Sequence, residues 1–267
     1  MRETGLSQLR QRARALLYPC AALGLFVLVW QAIVWIGPIP EEYLPGPVQA
    51  LRALFEMLRS GELLAAEWLT LSRTLYGAAL SAALGLALAL AGANVAILRQ
   101  ALQPLVAIFQ VLPPAALVPM SIYFLGFGER FFLFIISFAA IWPTYVVATR
   151  ALLDTDPLLL STARMFGYSK RRSVIAIRLP AAMPEIFTGL RLTAGLALIA
   201  TVAAEMLASR NGLGFLLFDT AFSLHVDQTF AVLLVVALNG LLVNGMVGAG
   251  RRLICGWRDR LEATIHA

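Results

Sequence analysis

Six stretches of this chain run for roughly 20 residues with few charges, the length of helix that crosses the hydrocarbon of a bilayer. They lie at about 16–37, 69–98, 102–125, 131–151, 181–207 and 230–247. Within lipid every backbone N–H and C=O must be paired inside the segment, so single apolar runs of this length must be helical. Only 13% of the residues are charged, against about 25% in soluble domains. The expected fold is an all-α polytopic membrane protein with six transmembrane helices over 16–252. A short amphipathic helix over 1–15 precedes it, with Leu6, Leu9, Ala13 and Leu16 at helical spacing. A polar tail, 253–267, follows.

Lys and Arg collect on the cytoplasmic side of inserted helices. With six spans and both termini on one side, that side carries 15 Lys and Arg, among them Arg2, Arg10, Arg12, Arg14, Arg99, Arg251, Arg252, Arg258 and Arg260. The other side has four: Arg52, Arg59, Arg130 and Arg210. Both termini are therefore expected in the cytoplasm. The net charge of +6 follows from this asymmetry, and nucleic acid is not an expected partner. Cys20 and Cys255 lie at opposite ends with no metal-ligand spacing, so neither a metal site nor a disulfide framework is expected.

The third apolar run contains Pro113, Pro114 and Pro119. Prolines there free backbone carbonyls, which lipid does not tolerate, so this broken helix should face protein or a water-filled path. The second run carries Gly77, Ala78, Ala82, Gly85 and Ala89, which suit close helix packing in lipid. Glu205 is an ionisable group near the outer end of the fifth run, a position that marks a functional residue or a structural contact with Arg210 or a loop amide. Arg191, about three turns from the inner end, attracts anions or snorkels to the surface. Residues 212–228 read as a short re-entrant or surface helix.

One polar insert, 154–180, interrupts the apolar sequence on the cytoplasmic side. Asp156-Pro157 opens a helix, Leu158, Leu159, Thr162, Met165 and Phe166 recur a turn apart, and Gly167 suits a left-handed stop. Ser169 caps a second short helix, 170–178, which Leu179-Pro180 is expected to end. The apolar face of the first helix fits either a partner's groove or the lipid headgroups.

Residues 161–167 (STARMFG) and 177–180 (IRLP) resemble the cytoplasmic loop of bacterial ABC importer permeases, which reads EAAxxxG followed after nine residues by IxLP. Ala163, Gly167, Ile177, Leu179 and Pro180 match in register; Ser161 and Thr162 stand where that loop has Glu and Ala. Residues 44–52 (LPGPVQALR), 111–119 (VLPPAALVP), 124–129 (FLGFGE) and 204–214 (AEMLASRNGLG) are similar to the nitrate/sulfonate/taurine-type members. The resemblance implies a type I importer permease of the bacterial inner membrane, the non-catalytic subunit of a transporter.

It further implies a homodimer, two ABC ATPase subunits that hold ATP and Mg, and a soluble or lipid-anchored substrate-binding protein. No cofactor belongs to this chain, and membrane lipid surrounds it. Leu159, Ser161, Thr162, Ala163, Met165, Phe166, Gly167, Lys170, Leu179 and Pro180 would then form the ATPase-coupling site. Pro113, Pro114, Pro119, Arg191 and Glu205 would be candidates for the translocation path. The expected cargo is an oxyanion such as nitrate, a sulfonate such as taurine, or bicarbonate; a vitamin precursor or an aromatic acid is the alternative. The chain has no phosphate-binding GxxxxGK[ST] loop, so ATP hydrolysis would fall to a separate subunit. A self-contained secondary transporter calls for paired intramembrane charges or inverted repeats, and an intramembrane enzyme for a GxSxG or HExxH pattern. No inverted repeat is evident, the spans carry few charges, and neither enzyme pattern occurs.

Overall fold

The computed structural model describes the backbone of residues 2–37, 40 and 42–265, and the side chains of 17, 18, 20–37, 40 and 42–257. Among these residues every regular element is helical. Helix α1 (Arg2–Ile36) leads to α2 (Pro47–Ser60), α3 (Glu62–Asn94) and α4 (Ala96–Phe109). A tight turn, Pro114–Leu117, continues into α5 (Val118–Leu125), followed by α6 (Glu129–Leu153) and the short α7 (Pro157–Met165) and α8 (Lys170–Ser173). Then come α9 (Leu179–Ala208), α10 (Leu213–Phe222) and α11 (Val226–Ile265).

Four of these helical runs are long and apolar enough to cross a membrane: α3, α6, α9 with its lead-in from Lys170, and α11. A fifth forms if α4 and the 114–125 segment are one span, bent by 96°. The bend falls where Pro113 and Pro114 interrupt the backbone ladder. Within α1 the stretch Cys20–Ile36 is apolar but shorter. Helix α1 runs unbroken across the 15/16 boundary drawn from sequence, and α11 runs through 253 to Ile265. The amphipathic face expected over 1–15 and the side chains of Arg258 and Arg260 lie outside the described residues.

The core is the packing of α6 between α3 and α9, and small residues set its spacing. A Cβ added at Gly77 would overlap the side chain of Ile136; one at Gly85 would come to 2.8 Å from the Ile141 carbonyl. Those glycines let the α3 and α6 backbones approach closely, which is how helices associate where lipid removes the hydrophobic drive. Hydroxyls complete the contact: the Thr144 and Thr193 oxygens lie 2.8 Å apart, Thr193 donates to the Ala140 carbonyl at 2.8 Å, and Thr74 donates to Thr201 at 3.2 Å. A second cluster, with Ala53, Met57, Leu63, Leu213, Leu216 and Val232, joins α2, α10 and α11 to the start of α3. Trp30 of α1 stacks on Phe230 with ring centres 5.5 Å apart and donates to the Pro45 carbonyl.

The structure corrects one local expectation. Leu179-Pro180 does not end a helix: residues 170–208 form one helical run. Proline inside a helix crowds the carbonyl of the preceding turn. Here residues Val174–Arg178 widen into a π turn in which the Leu179 N–H bonds the Val174 carbonyl, opening the backbone just ahead of Pro180. The second half of the insert, from Lys170, is thus continuous with α9.

Candidate functional site

Two places concentrate polar chemistry, at opposite ends of α6. The first surrounds Arg73, which lies on the buried face of α3 in phase with Thr70, Gly77, Ser81 and Gly85. Its Nε and Nη2 reach the Glu129 carboxylate at the start of α6, the shortest contact being 2.6 Å. Its Nη1 donates to Glu205 Oε1 of α9 at 2.9 Å. The guanidinium carbon sits 3.8 Å from the centre of the Phe132 ring, an added cation–π contact.

Glu205 is fully buried. Its Oε2 accepts from Thr70 Oγ1 at 2.7 Å and from the Gly214 N–H at 3.0 Å, while the Leu213 N–H donates to Thr70 Oγ1 at 2.8 Å. The carboxylate therefore closes the N-terminus of α10, where free amides and the helix dipole favour an anion. Gly212 and Gly214 make room: a Cβ at either would run into Glu205, and Gly212 has φ +103°. One Arg, two Glu and one Thr tie α3, α6, α9 and α10 into a knot.

The second place is the insert. The Asp156 carboxylate accepts from the Leu158 N–H at 2.8 Å, with Pro157 in the first helical position. At the other end Gly167 takes φ +78°, and the Tyr168 N–H bonds the Ala163 carbonyl at 3.0 Å, a Schellman-type stop. Ser169 Oγ accepts from the Arg172 N–H. Ala163 faces inward, while Leu158, Leu159, Met165 and Phe166 are exposed, Met165 at 87%. Ser161 and Thr162, both uncharged, donate back to the Leu158 carbonyl, at 2.8 and 2.9 Å. Lys170 and Pro180 are exposed and Leu179 half-buried.

The remaining sequence candidates are dispersed. Pro113 and Pro119 are exposed and Pro114 half-buried on the bent 96–125 segment, beside exposed Met120, Tyr123 and Phe124. Arg191 is exposed on α9 and, with Arg251, borders a cleft of about 40 Å³ against α11. Glu205 lies inside the packing, with Arg73 rather than Arg210 as its cation and Gly214 as its loop amide. Asn239 donates to Glu67 at 2.7 Å across α11 and α3. Arg73 and Glu129 were not singled out from sequence. Their signal was available: an arginine in phase with a stripe of small residues cannot face lipid and must be paired.

A family model described as "Binding-protein-dependent transport system inner membrane component" matches residues 62–252, from the start of α3 into α11. The chain belongs to this family. It is the permease component of an ABC importer. This permease is 27% identical over 238 residues to the "Putative aliphatic sulfonates transport permease protein SsuC" of Bacillus subtilis (89% of this chain, 86% of the relative). It is 29% identical to the "Nitrate import permease protein NrtB" of Synechocystis sp., covering 86% of each chain. It is 28% identical to the "Bicarbonate transport system permease protein CmpB" of Synechococcus elongatus, covering 95% of this chain and 94% of the relative. Among solved structures, a chain of the MetNI methionine ABC transporter in an inward-facing form superposes with a TM-score of 0.65 at 18% identity. The match covers 73% of this permease and 97% of that chain, which establishes the shared fold.

Proposed function

We propose that this permease carries a small oxyanion inward, as half of a homodimer, with 154–180 as the loop that receives the ATPase stroke. Relatives named for sulfonates, nitrate and bicarbonate support the cargo class. The observation that carries the coupling assignment is the capped α7: Leu158, Met165 and Phe166 project from a helix that Asp156 and Gly167 hold at both ends. Apolar side chains so exposed on a helix flanked by arginines fit a groove on a partner. Because α8 and the π turn run straight into α9, a displacement of α7 would pass into a spanning helix. Two ATPase subunits, holding ATP and Mg, would drive the cycle by binding one conformation of the dimer better than the other. The chain itself would be non-catalytic and hold no cofactor, and a binding protein would deliver the cargo to the opposite end.

In this reading the insert and both termini are cytoplasmic, and α1, the bent 96–125 segment, α3, α6, α9 and α11 make six spans. Pro113, Pro114, Pro119 and Arg191 would line the path, because Pro113, Pro119 and Arg191 are exposed on faces available to a second copy, with half-buried Pro114 beside them. Glu205 would brace α9 from behind. Ser161 and Thr162 leave docking to shape and apolar contact. Met165→Asp puts a charge into the apolar contact, and Gly167→Val strains a φ of +78°. Either variant should insert normally and lose ATPase co-purification. Normal amounts of bound ATPase with both variants would refute the assignment.

A further inference from the structure

The inner end holds a second polar feature, which shares Lys170 with the proposed coupling residues. A cavity of about 200 Å³ opens between the end of α3, α7 and the π turn, bordered by Arg164, Lys170, Arg178, Asn94 and Ser173. No Asp or Glu borders it, and among the described residues no carboxylate pairs with any of its three cations. Arg164 uses its Nε on the Leu160 carbonyl, leaving the rest of its guanidinium for the cavity. The Nε of Arg178 is shielded from solvent and has no hydrogen-bond partner. A buried donor left without a partner is costly, and so are three like charges around one small space.

We infer that this cavity is a binding site for a phosphate-type oxyanion, bridging Arg164 of the insert to Arg178 at the root of α9. Arginine offers paired N–H groups that match a tetrahedral oxyanion, and Lys170 adds a point charge. Basic pockets between helices on the cytoplasmic side suit anionic headgroups; the same chemistry accepts a free anion from the cytoplasm. The site rests on placing this end at the inner leaflet. Occupied, it would pin α7 against the π turn and stiffen the joint between insert and spanning helix.

The purified transporter, permease with its ATPase subunits, is placed in phosphatidylcholine nanodiscs with or without phosphatidylglycerol. Retained lipid is read by native mass spectrometry, and inorganic phosphate is titrated in phosphatidylcholine alone. Wild type should retain phosphatidylglycerol, or bind phosphate, about tenfold more tightly than Arg178→Gln, as expected for losing a charge-assisted hydrogen bond. Retention of phosphatidylglycerol without phosphate binding identifies the headgroup as ligand; phosphate binding in phosphatidylcholine identifies a soluble anion. Should Arg178→Gln fail to assemble, the exposed Arg164→Gln replaces it. Equal retention of both lipids together with no phosphate binding, or anion binding unchanged by substitution, overturns the site. ATPase co-purification with Arg178→Gln is scored in the same samples, so loss of the anion site and loss of docking are read separately.

Discussion

Replacing Glu205 with Ala should destabilise the permease by about 3–5 kcal/mol, the cost of removing one member of a buried ion pair. Every polar contact of that carboxylate is internal: Arg73 Nη1, Thr70 Oγ1 and the Gly214 amide, at 2.7 to 3.0 Å with no exposed surface. Its loss strands the α10 amide and leaves Arg73 with the exposed Glu129 as its one carboxylate. Arg73→Ala should cost a similar amount, because the Glu205 charge then rests on one hydroxyl and one amide. Glu129→Ala should cost far less, about 0–1 kcal/mol, since the Glu129 side chain is 60% exposed and water screens its pair with Arg73.

The double variant Arg73→Met with Glu205→Met removes both charges and fills the space with apolar atoms. It should lose clearly less than the two single losses added together. Unfolding of the purified chain by SDS in mixed micelles, followed by far-ultraviolet circular dichroism, gives all four numbers. Equal costs for Glu205→Ala and Glu129→Ala would refute the reasoning, as would additive losses in the double variant.

The close approach of α3 and α6 gives a second contrast in the same assay. Gly85→Leu should prevent stable folding because its Cβ already meets the Ile141 carbonyl and Thr144, whereas Gly195→Ala meets nothing within 4 Å and should gain up to about 1 kcal/mol from helix propensity. Thr193→Val removes the hydroxyl contacts to the Ala140 carbonyl and to Thr144 and should cost about 1 kcal/mol, within the scale for such bonds between membrane helices.

Local rules made part of this structure readable in advance. Helix α7 is bounded by Asp156, Gly167 and Ser169, residues that act within four positions of themselves, and its apolar periodicity needs no knowledge of the rest of the chain. The break at Pro113 and Pro114 is local in the same way. The same logic misled at Leu179-Pro180, because a proline rule assumes a regular α-helix before it. A π turn changes that assumption, and no residue of 174–178 announces one.

The polar knot is the harder case, because its members lie 56 and 132 residues apart. Hydropathy located Glu205 but not the direction it faces, and a turn of the helix by one residue would have sent it elsewhere. Two constraints narrow the choice. Alternating spans put the start of α3, the start of α6 and the end of α9 at one end of the bundle, so Arg73, Glu129 and Glu205 share a level. The stripe Thr70, Gly77, Ser81, Gly85 and Ala89 then fixes which side of α3 is covered, and Arg73 falls on it. An arginine on a covered face of a lipid-embedded helix needs a carboxylate at its own level, and Glu129 and Glu205 are there to supply it. Level and phase together make the pairing derivable, where hydropathy alone leaves Glu205 an isolated charge.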